Sequence, residues 1–174
     1  GGGVVSLGLL AGGSSSAAND VSADGSVVVG RCQTSNGGLP FRWTPALGMS
    51  GLPTRPGGSV GMGRATSVSD DGLVVGGDSD RRAVLWLNDG TVVDIGAPAD
   101  GADSLVVDLS GDGSVALGSD RGPTGNRAYV WSQSRGVRFL PPLGVTPTPI
   151  AISADGSMAV GSFREPGGSN RACL

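Results

Sequence analysis

Short apolar runs recur along the chain, each preceded by a Ser-x-Asp-Gly tetrad and closed by a glycine. Four such segments align without gaps: residues 21–30 (Val-Ser-Ala-Asp-Gly-Ser-Val-Val-Val-Gly), 68–77, 109–118 and 152–161. Their Asp-Gly pairs begin at Asp24, Asp71, Asp112 and Asp155, so the spacings are 47, 41 and 43 residues. A second apolar run follows each segment and ends in tryptophan in three of the four: Phe41-Arg-Trp43, Ala83-Val-Leu-Trp86 and Ala128-Tyr-Val-Trp131. The fourth copy reads Arg171-Ala-Cys-Leu174 and stops where its Trp would fall. A third landmark is a glycine followed by a weaker apolar run, at Gly48, Gly90 and Gly136.

Each landmark predicts a strand. The residues up to the Ser form a first strand, and Asp-Gly supplies the φ > 0 positions of a two-residue hairpin turn into the next. The turn residues are thus Asp24-Gly25, Asp71-Gly72, Asp112-Gly113 and Asp155-Gly156. Their serines, Ser22, Ser69, Ser110 and Ser153, hydrogen-bond the turn locally. The apolar run behind each turn reads as a short strand buried on both faces. The Trp-ended run is a third strand and the Gly-led run a fourth. Four short antiparallel strands per repeat of this length make one blade of a β-propeller, so the predicted fold is all-β, with four repeats over residues 1–174. In repeat register, residues 1–18 are an outer strand and its connection; a signal-peptide end is the competing reading, but it lacks a positively charged start. The chain then starts and stops within a repeat. Either the first strand closes a four-bladed ring, or the four repeats belong to a larger propeller, which the missing last Trp favours.

Composition alters this picture little. Glycine and proline make up 33 and 11 of the 174 residues, which would suggest disorder had the glycines not fallen at repeat positions. Charge and residue types exclude more. The net charge is −3, there is no His, and the basic residues are all Arg. His-based triads and His metal sites are therefore impossible, as are Schiff-base lysines and a Walker-type phosphate loop. Scattered arginines form no basic stripe for nucleic acid. No stretch approaches the ~18 apolar residues of a membrane-spanning helix.

The segment Leu7-Gly-Leu-Leu-Ala-Gly-Gly-Ser, the run from Ala18 to Gly30, Phe41-Arg-Trp-Thr and Gly48-Met together resemble the HAF repeat of bacterial extracellular and autotransporter-like proteins. The resemblance spans the chain, although the namesake His-Ala-Phe triplet reads Leu39-Pro-Phe41, Arg82-Ala-Val84 and Arg127-Ala-Tyr129 here. It implies a surface or secreted propeller and carries no catalytic residues.

The candidate sites follow from the repeat. The recurring turn aspartates are read as turn residues rather than Ca²⁺ ligands. The Asp-rich loops offer weak metal candidates at Asp78, Asp80, Asp100 and Asp103, without the spacing of a Ca²⁺ loop. Trp43, Trp86 and Trp131 are read as core packing between blades rather than a sugar-stacking row. Arg81, Arg82, Arg121, Arg127, Arg164 and Arg171 fall between second and third strands, near Asp78, Asp80, Asp120 and Glu165. They form a candidate binding rim, because variable loops on a regular scaffold carry function. Cys32 and Cys173 would approach one another only in a closed four-bladed ring, and Cys173 reads better as a small buried apolar residue. The expected function is a non-enzymatic binding or scaffold module for a protein or glycan at the cell surface, with no cofactor. A glycosidase- or lyase-like enzyme using Asp, Glu165, Arg and Tyr129 near the propeller axis, and a self-assembling structural repeat, are the alternatives.

Overall fold

The structure is a computed structural model and describes residues 3–96, 103–122, 125–141, 147–165 and 167–174. Among these, all regular elements are strands, and each sheet is an antiparallel meander of consecutive strands. Sheet 1 holds β1 (Gly13–Val21), β2 (Val28–Thr34), β3 (Gly37–Thr44) and β4 (Gly48–Gly51). Sheet 2 holds β5 (Gly63–Val68), β6 (Val74–Ser79), β7 (Arg82–Leu87) and β8 (Val92–Asp94). Sheet 3 holds β9 (Ser104–Leu109), β10 (Val115–Gly122), β11 (Gly125–Ser132) and β12 (Gly136–Phe139). Sheet 4 has three strands, β13 (Thr148–Ile152), β14 (Ala159–Arg164) and β15 (Asn170–Cys173). The repeat landmarks thus fall on the strands they predict, and the sheets are propeller blades.

The first strand of each sheet packs onto the second and third strands of the sheet before it, from sheet 1 through to sheet 4. Apolar side chains fill these junctions. Val29, Val68, Val75, Val84 and Trp86 meet between sheets 1 and 2. Leu85, Val106, Leu109, Ala116 and Tyr129 meet between sheets 2 and 3. Large apolar residues stay exposed towards the two ends of the stack, among them Val21 in sheet 1 and Ile150, Met158 and Val160 in sheet 4. The stack of described sheets is therefore an arc with two uncovered faces.

The glycine that closes each apolar run lies inside the second strand, not behind it. A Cβ on Gly77 would sit 2.1 Å from the Arg64 carbonyl oxygen, and one on Gly30 would sit 2.1 Å from that of Ala17. The cause is a bulge in the first strand, visible as a register shift at Ala18/Asp20 and again at Ala65/Ser67, which presses that strand's backbone onto its neighbour.

Two sets of hydrogen bonds couple the sheets beyond apolar packing. The first joins the variable residue of each Ser-x-Asp-Gly tetrad to the next: the Ala23 N–H donates to the Asp70 carbonyl (3.1 Å), Asp70 N–H to Gly111 (2.8 Å) and Gly111 N–H to Ala154 (2.8 Å). The second runs through the side chain two residues before each Ser. Asp20 Oδ2 accepts the Val68 N–H at 2.8 Å. Ser67 Oγ accepts the Leu109 N–H at 3.2 Å and donates to Asp108 Oδ1 at 3.0 Å. Asp108 Oδ2 then accepts the Ile152 N–H at 2.8 Å. A hydrogen bond to a charged group contributes about 1.5–3 kcal/mol. Asp108→Ala is therefore expected to cost about 2–3 kcal/mol in urea unfolding followed by Trp fluorescence. Asp70→Ala, which keeps the backbone bonds and loses no side-chain partner among the described residues, should stay within about 0.5 kcal/mol. Equal effects of the two changes would refute the side-chain clamp.

Candidate functional site

The strand registers sort the connections into two ends. The Ser-x-Asp-Gly turns join first to second strands at one end. The second-to-third hairpins lie at the other, together with the segments entering β5, β9 and β13, because Gly63 pairs with Ser79, Ser104 with Asp120 and Thr148 with Ser162.

The turn end is built for local structure. Of each Asp-Gly pair only the glycine has φ > 0: 74° at Gly25, 71° at Gly72, 68° at Gly113 and 69° at Gly156. The expected two-residue turn is replaced by a longer one, in which the Gly25 N–H donates to the Ser22 carbonyl and the Ser22 N–H to that of Val27. The reason is the side-chain pair. Asp24 Oδ1 accepts both the Ser22 hydroxyl (2.7 Å) and the Ser26 N–H (2.9 Å), while Ser22 Oγ accepts the Val27 N–H (3.0 Å). The same bonds recur at Asp71, Asp112 and Asp155. These donors hold Asp24 and Asp155 down to about 2, the backbone of Ser26 leading at Asp24 and the hydroxyl of Ser153 at Asp155. Each turn aspartate thus has its own turn as partner.

The opposite end is a charged rim. Arg81 grips Asp103 with Nε at 2.5 Å from Oδ1 and Nη2 at 2.7 Å from Oδ2. Arg55 Nη2 lies 3.0 Å from Asp80 and its Nη1 3.9 Å from Asp94, which Arg82 approaches to 3.2 Å. Arg64 pairs with Asp78 at 3.2 Å, and Arg171 with Glu165 at 3.2 Å. Between β6 and β7 the two-residue turn is Asp80-Arg81, with φ of 52° and 64°. Both residues occupy the left-handed region, which hairpin turns ordinarily fill with Asn-Gly, and both are held by the ion pairs just named.

Several expected site residues fall elsewhere. Asp120 and Arg127 are not loop residues: they face each other on β10 and β11. Asp120 is fully buried, Arg127 Nε donates to its Oδ2 at 2.9 Å, and the guanidinium lies 4.4 Å from the Phe139 ring centroid. Asp120 Oδ1 has no hydrogen-bond partner among the described residues. Burial, with Asp120 adding its charge, pushes the Tyr129 phenol up, and its hydroxyl donates to the Leu105 carbonyl at 3.2 Å. Tyr129 lies in β11 and donates to the Leu105 carbonyl, whereas Glu165 follows β14 and pairs with Arg171. Arg82 opens β7, Arg121 lies within β10 and is exposed, and exposed Arg164 closes β14. The carboxylates of Asp78, Asp80 and Asp103 each meet an arginine, and no cluster of three metal-binding side chains occurs among the described residues. Asp100 lies outside them. Trp86 is buried, its Nε1 donating to the Pro53 carbonyl at 2.7 Å. Trp131 is half-buried against the sheet 2–3 cluster, and Trp43 is half-buried in sheet 1. Cys32 and Cys173 are free thiols.

Sequence reasoning missed Arg55, Arg64 and Asp94. They come from connecting segments and strand ends without a repeat signature, and they reach the rim only because β5 and β8 flank the hairpin.

Two pH effects follow. A carboxyl whose pKa falls on folding adds stability above its unfolded value and loses it as pH drops through the folded one. Asp24 and Asp155 therefore give a loss of stability between pH 3.8 and about 2, and Asp155→Asn removes the Asp155 share of that loss. Asp78 has the opposite sign. Burial pushes it up to about 6 against the pull of Arg64, so ionised Asp78 weakens the fold, and stability rises as pH falls from 7 towards 4. Thermal melts at pH 7 and pH 5 should show this rise in the wild type and not in Asp78→Asn; the same rise in both would exclude Asp78 as its source.

No family model matches the chain, and no curated protein sequence matches it. Solved structures do. TolB from Acinetobacter baumannii superposes with a TM-score of 0.67 at 16% identity, over 91% of this chain and 40% of that one. A provisionally named TolB from Agrobacterium tumefaciens gives 0.59 at 12% identity, over 87% of this chain and 62% of that one. The chain spans less than two thirds of each of these proteins, and the similarity at this identity is one of fold: the sheets form a β-propeller.

Proposed function

We propose that this protein is a non-enzymatic binding or scaffold propeller, secreted or displayed at a bacterial cell surface, whose charged rim receives a protein or glycan. The observation that carries the reading is the Asp80-Arg81 turn. Left-handed backbone at two adjacent non-glycine residues costs of order 1–3 kcal/mol each, while the exposed Arg81–Asp103 pair returns about 0–1 kcal/mol. The rim thus holds charged groups in a fixed, unfavourable geometry on a rigid scaffold, which is a feature of recognition sites. A ligand with both acidic groups and hydrogen-bond acceptors suits the arginine forks there. Extracellular placement rests on the resemblance to HAF-type repeats.

The test is a turn exchange. Replacing Asp80-Arg81 by Asn-Gly restores favoured turn chemistry while removing both ion pairs, so stability should rise by about 1 kcal/mol or more. Binding to a panel of bacterial envelope polysaccharides and surface proteins, measured by biolayer interferometry, should fall at least about tenfold, the effect of one lost charge-assisted contact. Wild-type binding that survives the exchange unchanged, or turnover of a bound glycan, would overturn the reading. Protease or antibody access to the rim on intact cells tests the placement separately.

A further inference from the structure

The hairpin between β2 and β3 brings its tip, Thr34-Ser35-Asn36-Gly37, to the charged end of sheet 1. Thr34 Oγ1 fixes the tip: it accepts the Asn36 N–H at 3.2 Å and donates to the Gly37 carbonyl at 3.0 Å. The Asn36 side chain is exposed, and its amide has no hydrogen-bond partner among the described residues. Just beyond it, backbone lies on backbone. The segment entering β5 runs alongside, with Gly38 bridged in parallel to Met62. A Cβ on Gly37 would collide with the Gly61 carbonyl oxygen, and one on Gly61 with that of Asn36. Met62 in turn accepts the Asp80 N–H at 2.5 Å, which ties the hairpin tip to the left-handed Asp80-Arg81 turn.

Asparagine is thermolabile, and most so before glycine, whose nitrogen reaches the preceding side-chain carbonyl with no Cβ in the way. Asn36 is the one asparagine of the sequence followed by glycine. Asn19, Asn88, Asn126 and Asn170 precede Asp20, Asp89, Arg127 and Arg171, and the Asn19 amide is already engaged, donating to the Ala65 carbonyl at 2.7 Å. The Asp-Gly pairs of the turn end share the spacing but not the reactivity, because ring closure there needs a neutral carboxyl. Local donors hold the carboxyls of Asp24, Asp71, Asp112 and Asp155 below the usual value, a backbone N–H leading at Asp24 and Asp112 and a serine hydroxyl at Asp71 and Asp155. They therefore stay ionised, whereas the Asn36 amide is uncharged at every physiological pH.

We infer that Asn36 is a site of spontaneous deamidation, and that its isoaspartyl product frees the hairpin tip from the rim. The Gly37 nitrogen gives up its proton and bonds to Asn36 Cγ; the bond from Cγ to the amide nitrogen breaks, and ammonia leaves with that proton. The product is a five-membered succinimide, which water opens. Hydrolysis at Cγ yields aspartate. Hydrolysis at the main-chain carbonyl carbon yields isoaspartate, whose backbone runs through the former side chain and is longer by one methylene. Both products add a negative charge to the rim, and only isoaspartate displaces the main chain. The tip has no room for the added atom, since even a methyl group on Gly37 or Gly61 meets backbone there. The Gly38–Met62 bridge is then lost, and with it the support that the Met62 carbonyl gives to the Asp80-Arg81 turn. The rim thereby carries a chemical record of the molecule's age, whatever ligand the rim receives.

The test ages the folded 174-residue chain at mildly alkaline pH beside a synthetic peptide of residues 31–40, with peptide mapping by mass spectrometry. The hairpin peptide of the folded chain should gain one dalton at Asn36, ahead of every other asparagine, and labelling by an isoaspartyl methyltransferase should rise in step. Asn36→Gln keeps an amide but would need a six-membered ring, so it should show neither change. Gly37→Ala is unsuitable as a control because its methyl group collides with Gly61. Hydrogen exchange reads the coupling to the rim. The Asp80 N–H of the isoaspartyl chain should exchange about fivefold faster or more, the protection of one hydrogen bond. Freshly prepared Asn36→Asp, which adds the charge without the methylene, should exchange there like the wild type. An Asn36 that stays an amide in the folded chain while the peptide deamidates would overturn the inference. So would an isoaspartyl chain whose Asp80 N–H is as protected as that of Asn36→Asp.

Discussion

The arrangement depends on how each sheet is fastened to the next. A sheet of three or four short strands cannot bury its two faces alone, and here the fastening is largely polar and directional. In sheets 1 to 3 the tetrad at one end donates one backbone N–H forward, and the side chain two residues before it receives one from the following sheet. Apolar packing fills the space between, but these bonds set spacing and rotation. The charged end inherits its geometry from them. Arg81 meets Asp103, and Arg55 meets Asp80, because consecutive sheets and their connecting segments are held at fixed offsets.

The two ends of the sheets use the same residue types for opposite purposes. At the turn end, aspartate is solvated and bound to neighbours one or two residues away, which holds its carboxyl well below the usual range. At the rim, aspartate is paired with arginines remote in sequence, and at Asp78 burial outweighs the nearby guanidinium. The first arrangement is complete within one repeat. The second joins strand ends and connecting segments, and at Arg81–Asp103 it reaches from one repeat to the next, which makes it responsive to whatever occupies the rim.

This contrast explains what the sequence discloses. The strands, their order and the turn aspartates were legible because each is encoded within about ten residues. The belt was not, since its four members are Ala23, Asp70, Gly111 and Ala154, and only their backbones take part. The clamp alternates between Asp20, Ser67 and Asp108 and so shows no repeat identity. Asp120 and Arg127 read as loop charges because they flank a glycine-rich stretch, yet they pair across β10 and β11, which bury Asp120. The Asp80-Arg81 turn carries no sequence signal, since hairpin rules look for Asn-Gly at such positions. Of the rim, the arginines following the second strands were visible, whereas Arg55 and Arg64 were not.

The belt has an implication for descent. Because each link joins main-chain atoms in one direction, a newly copied repeat brings its own donor and acceptor and demands no matching change in its neighbours. Gene duplication or deletion can then alter the number of repeats in single steps, while the irregular hairpins diverge without disturbing the joints. Divergence in such a lineage should accumulate in the second-to-third hairpins and spare the glycines beneath the bulges, where even a methyl group collides with backbone.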